Sequence, residues 1–279
     1  MSMAPLISTE ELKILLSQPA ARVMVFDCSF DLVDAGAGAR AYAESHLPGA
    51  IYLNLDTDLS APKTGRNGRH PLPERAVFAQ RMAELGLDDD MLAVVYDRNA
   101  CMYAGRPWWM LRWAGHEKVA VLDGGLPAWT ALGLPLTTDV PVSASGNLQQ
   151  RPPLVRTVAA ADILAQPQLK VLDARAPDRF RGENETLDPV GGHIPGAANR
   201  FFKDNLLPDG RFKPAEQLRS ELGALVADPA SAVMQCGSGV TACHNLLALE
   251  VAGLPGAALY PGSWSEWCAD PSRPVATGA

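Results

Sequence analysis

The sequence predicts an α/β protein made of two tandem copies of one domain, each a parallel sheet flanked by helices. Three observations predict it. Four sequence blocks recur in the same order in the two halves, short near-continuous apolar runs mark buried strands, and segments of helical period alternate with those runs. The first half carries VMVFDCSF, AYAESHLPGAIYLNLD, LAVVYDRNA and VAVLDGGLPAW. The second carries LKVLDARA, VGGHIPGAANRFF, SAVMQCGSG and AALYPGSWSEW. Asp27 thereby pairs with Asp173, His46 with His193, Asp97 with Cys236 and Trp129 with Trp267, at offsets of 138 to 147 residues. A period that long is a duplicated domain, not a short-repeat solenoid.

The elements follow in chain order. Ser8 or Thr9 caps a first helix, with glutamates in its first turn and apolar positions at Leu12, Leu15 and Leu16. Residues 23–26, 93–96 and 119–122 read as strands of the first copy, with a helix over 74–85. The stretch TTDVPVSASGNLQQRPPLVR is rich in Pro, Ser, Gly and Thr and has no apolar period. It predicts an exposed linker at 138–152, a first domain over 1–137 and a second over 153–279. Residues 171–172, 232–234 and 257–260 read as strands of the second copy, with helices over 215–225 and 242–251. Such alternation places ligands outside the carboxyl ends of the strands.

Composition excludes several classes. The chain has 279 residues, enough for two cores, and a net charge of −7 that argues against nucleic acid as a main partner. A few arginines gathered in a cleft can still bind a small anion. No run approaches the ~20 apolar residues of a membrane span, and the N-terminus lacks the pattern of a leader, so a cytoplasmic location is expected. The five cysteines, Cys28, Cys101, Cys236, Cys243 and Cys268, are odd in number and form neither a C-x-x-C pair nor a zinc-ligand spacing. Free thiols follow, four of them expected as small packed hydrophobes. With no P-loop, dinucleotide fingerprint or metal motif, no cofactor is expected.

The chemistry concentrates in residues 231–245, SAVMQCGSGVTACHN. A strand ends at Gln235, Cys236 follows, then Gly237, Ser238, Gly239, Val240 and Thr241, and a helix begins near Ala242. The thiol thus stands between the carboxyl end of a strand and the positive end of a helix. Two glycines allow successive backbone N–H groups to turn inward around an anion. Cys243, two helical turns on, reads as a packing residue.

With those motifs in place, the chain resembles the two-domain rhodanese superfamily and, within it, the 3-mercaptopyruvate sulfurtransferases. The resemblance rests on SHLPGA, GRPWWMLRWAGH, LDGGLPAW, LDAR, GGHIPGA, CGSGVTAC and GSWSEW and spans nearly the whole chain. It implies that a donor gives its sulfane sulfur to Cys236 as a persulfide, and that a thiol, thioredoxin or cyanide removes it. The first copy has Asp97 in place of the cysteine, which implies an inactive, structural copy. Thiosulfate enzymes of the family resemble C-R-K-G-V-T at the loop; here Gly237 and Ser238 are neutral, which favours 3-mercaptopyruvate over thiosulfate. The donor's carboxylate is then expected to meet arginines from outside the loop. By resemblance Arg175 is the first, and Arg179 or Arg181 the second. The resemblance also implies a proton relay of Ser238, His70 and Asp56. His46 and His193, present in both copies, read as turn-stabilising residues.

Two rivals fare worse. A cysteine phosphatase needs C-x-x-x-x-x-R, and the sixth position after Cys236 is Ala242. A non-catalytic rhodanese-like module would have lost the cysteine that this chain keeps.

Overall fold

A computed structural model describes residues 3–279, so the first two residues of the expected 1–137 span lie outside the described residues. The chain forms two compact units. The first comprises the chain up to Ser60, Pro73–Leu154 and Pro208–Arg211; the second comprises Ala61–Leu72, Val155–Leu207 and Phe212–Ala279. The strap Ala61–Leu72, drawn from the first copy's sequence, therefore belongs to the second unit.

In the first unit the elements are β1 (Leu6–Ile7), α1 (Thr9–Leu16), β2 (Val23–Asp27), α2 (Ala37–Glu44), β3 (Ala50–Tyr52), α3 (Arg75–Glu84), β4 (Leu92–Tyr96), α4 (Gly105–Trp113), β5 (Val119–Leu122) and α5 (Gly125–Ala131). In the second they are β6 (Arg156–Thr157), α6 (Ala160–Ala165), β7 (Lys170–Asp173), α7 (Pro177–Arg181), β8 (Ala198–Asn199), α8 (Ala215–Leu225), β9 (Ala232–Gln235), α9 (Thr241–Val251), β10 (Ala258–Leu259) and α10 (Ser263–Trp267). Each unit holds one five-stranded sheet, ordered β1-β5-β4-β2-β3 and β6-β10-β9-β7-β8, with every neighbouring pair parallel. The two orders superpose strand for strand, so the duplication seen in the sequence is a duplication of topology.

The central strands β2, β4, β5, β7 and β9 are the runs the apolar pattern predicted, within a residue or two at their ends. They are buried because helices cover both faces of a parallel sheet. Around β4 and β5 the core gathers Val25, Val94, Tyr96, Ala120, Leu122 and Trp129. Around β9 and β10 it gathers Val171, Val233, Tyr260, Trp264 and Trp267. Each full burial of a large apolar side chain stabilises by about 1.5–3 kcal/mol.

Ser8, not Thr9, caps α1. Its hydroxyl accepts the Glu11 N–H at 3.2 Å while the Glu11 carboxylate accepts the Ser8 N–H at 2.9 Å, a reciprocal box that lowers the Glu11 pKa. The expected linker carries no helix or strand over 138–150, yet it does not hang free. Gly146 and Leu148 donate to the Ala83 and Leu87 carbonyls, and Leu148 is buried. Asn147 adds to this, with its N–H donating to Asp88 at 2.8 Å and its Oδ1 accepting the Asp89 N–H at 2.9 Å.

His46 and His193 do the same work in both units. Each stacks on an aromatic ring, Tyr42 or Phe180, at 3.8 Å between centroids, and bonds that residue's carbonyl through Nδ1 at 2.7 and 2.9 Å. No helix among the described residues is long and apolar enough to cross a membrane.

Candidate active site

The site in the second unit is built where β9 ends. Register pairs Asp173 of β7 with Gln235 of β9, so the segments leaving these two strands emerge side by side. One carries Arg175 and α7; the other carries Cys236. On the far side of β9, β10 leads into α10. The thiol therefore lies at the carboxyl edge between two diverging connections, where this topology concentrates ligands.

Cys236 is buried, and its Sγ accepts N–H groups from Ser238 at 3.4 Å and Gly239 at 3.1 Å. α9 begins at Thr241 and is buried from Ala242 through Leu249, which fixes its N-terminal end against the loop. Gly239 has φ +76°, and a Cβ there would lie 2.4 Å from the Pro261 carbonyl oxygen. Only glycine meets both demands. The loop is clamped from α10: Trp264 and Ser265 donate to the Cys236 and Gly237 carbonyls at 2.9 Å, and the Ser263 hydroxyl accepts the Cys236 N–H at 3.1 Å. Ser263 adopts φ +53°, a left-handed conformation uncommon for serine, where the first copy has Gly125 at φ +57°. A strained residue is thus kept for its hydroxyl.

The other cysteines behave as packed thiols. All five are free and buried. Burial pushes Cys28 and Cys101 well above the ordinary thiol range, Cys268 likewise upward, and Cys243 donates to the Gly239 carbonyl at 3.3 Å. Cys236 alone sits on inward-facing loop N–H groups at a strand end.

His70 reaches the loop on the strap. Its Nδ1 lies 2.7 Å from Ser238 Oγ, and both residues are buried, so two of the three expected relay members meet. Asp56 belongs to the first unit, in the turn after β3, where its N–H donates to Asn54 Oδ1 at 2.8 Å.

The three arginines separate. Arg175 is buried in a frame. Its Nη2 donates to Asp173 at 2.6 Å and to the Gly192 carbonyl at 2.7 Å, its Nη1 reaches Glu185 at 3.4 Å, and its guanidinium stacks 4.7 Å from the Trp264 ring. Burial works against its charge, but Asp173 and Glu185 outweigh it and raise the pKa. Arg181 is partly exposed and pairs with Glu183 at 2.7 Å. Arg179 bonds Glu185 at 2.7 and 2.9 Å and Asp188 at 3.4 Å, and stands over Gly237. Glu185 is pushed up by burial, yet Arg179 and two N–H groups leave it below the usual carboxylate range. Asp188 lies above its usual value because burial exceeds the pull of Arg69.

Sequence reasoning missed Arg69, Ser263, Glu185 and Asp188. A Cβ on Gly237 would lie 2.9 Å from Arg69 Nη2 and 3.6 and 3.7 Å from the Arg179 Nη atoms, so two guanidinium groups cover the residue after Cys236. Adjacency to His70 was the signal for Arg69. For Ser263 it was a serine aligned with a glycine of the other copy.

In the first unit, Asp97 occupies the position of Cys236, directly after β4. Its carboxylate accepts four N–H groups, from Asn99 at 2.7 Å, Cys101 at 3.0 Å, Tyr103 at 2.7 Å and Ala104 at 2.9 Å. Among the described residues no cluster of His, Cys, Asp and Glu is arranged to hold a metal ion.

A family model described as the rhodanese-like domain matches residues 8–132 and again 157–270. The chain belongs to the rhodanese family, in a two-domain form. It is 49% identical, over all of both chains, to a protein named probable 3-mercaptopyruvate sulfurtransferase from Pseudomonas aeruginosa. It is 39% identical, over 92% of this chain and 91% of the relative, to a putative thiosulfate sulfurtransferase SseB from Mycobacterium tuberculosis. The solved structure of SseA from Escherichia coli, titled as a 3-mercaptopyruvate sulfotransferase, superposes with a TM-score of 0.82 at 29% identity, over 94% of this chain and 99% of that one.

Proposed function

We propose that the protein is a 3-mercaptopyruvate sulfurtransferase whose sulfur carrier is Cys236. The Cys236 thiolate attacks the donor's sulfur. An S–S bond forms, the donor's C–S bond breaks, and its electron pair passes to the carbonyl to give the enolate of pyruvate. The donor's thiol proton ends on the pyruvate methyl group, moved by Ser238 and His70. An acceptor thiolate (a small thiol or thioredoxin) or cyanide then attacks the outer sulfur and releases Cys236 as thiolate.

The observation that carries the reading is the Cys236 sulfur held by loop N–H groups, beside a buried Ser238–His70 pair and a loop with no charged side chain. The cradle of Gly237, Gly239, Val240 and Thr241 at the start of α9 favours an anion, so it suits thiolate and persulfide alike. Arg179 supplies positive charge for the donor carboxylate, and Arg175 contributes by holding Asp173 and Glu185, the frame on which Arg179 is set. The step needs no metal or organic cofactor, and the site is expected to work in the cytoplasm.

Thiosulfate is the second donor to test, favoured by the resemblance to SseB. The test is the mass of intact protein after incubation with each donor. Gain of one sulfur atom on Cys236, faster with 3-mercaptopyruvate and with pyruvate released, is expected. Sulfur transfer by Cys236→Ser would refute the carrier assignment; a strong thiosulfate preference would refute the donor.

A further inference from the structure

We infer that Arg69, a residue of the strap, is a substrate-binding arginine that closes a two-guanidinium clamp with Arg179 on the carboxylate of the sulfur donor. The inference rests on the donor reading above and adds a recognition residue to it.

Four observations carry it. First, Arg69 Nη2 stands 2.9 Å from where a Gly237 Cβ would be, next to the nucleophile. Second, only one end of its guanidinium is engaged: Nη1 donates to Asp188 Oδ1 at 2.5 Å, while Nε is buried with no hydrogen-bond partner. The Nε–Nη2 edge is a ready fork for a carboxylate, and an unmet buried donor is costly. Third, Asp188 also receives Arg179 at 3.4 Å, so one carboxylate sets both guanidinium groups. Fourth, the strap is fixed at this point. The Arg69 N–H donates to Ser265 Oγ at 2.9 Å, and Gly68 at φ +85° brings the backbone against Gly262, where a Cβ would lie 2.8 Å from the carbonyl.

The neutral loop then has a physical reason. In the C-R-K-G-V-T loops of the family the positive charge rises from the residue after the cysteine. Here that residue is glycine, and Arg69 occupies the space a side chain would need. A planar carboxylate met from two directions is the ligand such an arrangement fits, and the 2-oxo acid donor carries one.

The test is steady-state kinetics of sulfur transfer from 3-mercaptopyruvate, with binding of 3-mercaptopyruvate to the Cys236→Ser protein by calorimetry as a readout free of chemistry. Arg69→Ala is expected to raise KM about 10- to 100-fold with kcat changed less than about threefold, and to weaken binding equally. Arg69→Lys recovers part of the loss, and Gly237→Ala, which displaces Arg69 without removing it, raises KM in the same sense. Arg66→Ala, on the same strap but exposed, is the control and changes neither constant. Unchanged KM and binding in both Arg69 variants, or a fall confined to kcat, would overturn the clamp. If the wild-type protein takes no sulfur from 3-mercaptopyruvate, it is the donor reading that fails, before any variant is compared.

Discussion

Removing the Ser238 hydroxyl separates the two donors by chemistry. In the mercaptopyruvate reaction a proton must leave the donor thiol and reach the pyruvate carbon as the C–S bond breaks. Thiosulfate releases sulfite and needs no proton at that step. Ser238 Oγ and His70 Nδ1 lie 2.7 Å apart, and both are buried, so bulk water is a poor substitute for the missing hydroxyl. A positioned acid–base group is worth about 10²–10⁴-fold, and the lower figure corresponds to about 2.7 kcal/mol. Ser238→Ala is therefore expected to cut kcat for 3-mercaptopyruvate by about 100-fold while thiosulfate turnover changes by less than about fivefold. The fold should survive, because leaving the buried His70 nitrogen without this partner costs about 1–3 kcal/mol, less than the stability of a typical domain. The assay is pyruvate release against sulfite release, with persulfide on Cys236 followed by mass. An equal fall with both donors would mean that Ser238 merely shapes the loop. No fall with either would remove it from the mechanism.

Gly239→Ala places a side chain at φ +76° and 2.4 Å from the Pro261 carbonyl oxygen. It is expected to cost at least about 2 kcal/mol, to lower Tm by roughly 4–8 °C, and to abolish persulfide formation by turning the N–H groups away; calorimetry and mass spectrometry check both. Glu221 is pushed up by burial, but Arg200 at 2.7 Å, Lys213 at 3.0 Å and Gln217 more than reverse this and bring its pKa to about 2. Its folded-state pKa is depressed, so the stabilisation is whole above the unfolded value near 4.5 and is lost as pH falls toward 2. Glu221→Gln should cost on the order of 1–3 kcal/mol at pH 7 and no more than about 0.5 kcal/mol at pH 2, read from denaturant melts at the two pH values.

What was legible in the sequence is what local pattern encodes. Central strands such as β4 and β9 are continuous apolar runs, and they announced themselves. The edge strands β1 and β6 have two residues each, and Arg156–Thr157 is exposed and polar, so no period could mark it. Cys236 was legible because its strand, loop and helix are contiguous. Arg69 was not, because Asp188 is 119 residues away along the chain and Gly237 further still. Arg175 and Arg179, four residues apart, looked equivalent in sequence. Their difference is one of burial: Arg175 is spent on Asp173, Glu185, Gly192 and Trp264, while Arg179 faces the loop.

The first copy explains the second by holding its own anion. After β4, as after β9, the chain turns so that N–H groups converge on the first side chain past the strand. In the first unit that side chain is a carboxylate, and four N–H groups are satisfied permanently by Asp97. Burial raises the Asp97 pKa, and the four N–H groups pull it back only in part. In the second unit the same place is given to a thiol that receives two N–H groups at the longer distances proper to sulfur. A turn able to hold a fixed carboxylate is able to hold a transient sulfur anion, and what distinguishes the copies is whether the anion can leave. Asp97 is covalently part of its cradle, whereas the outer sulfur of a Cys236 persulfide can be handed on. In the function proposed above, the duplication keeps one anion-binding turn as structure and puts the other to use as a carrier, and the strap bearing His70 and Arg69 lets that site select its donor.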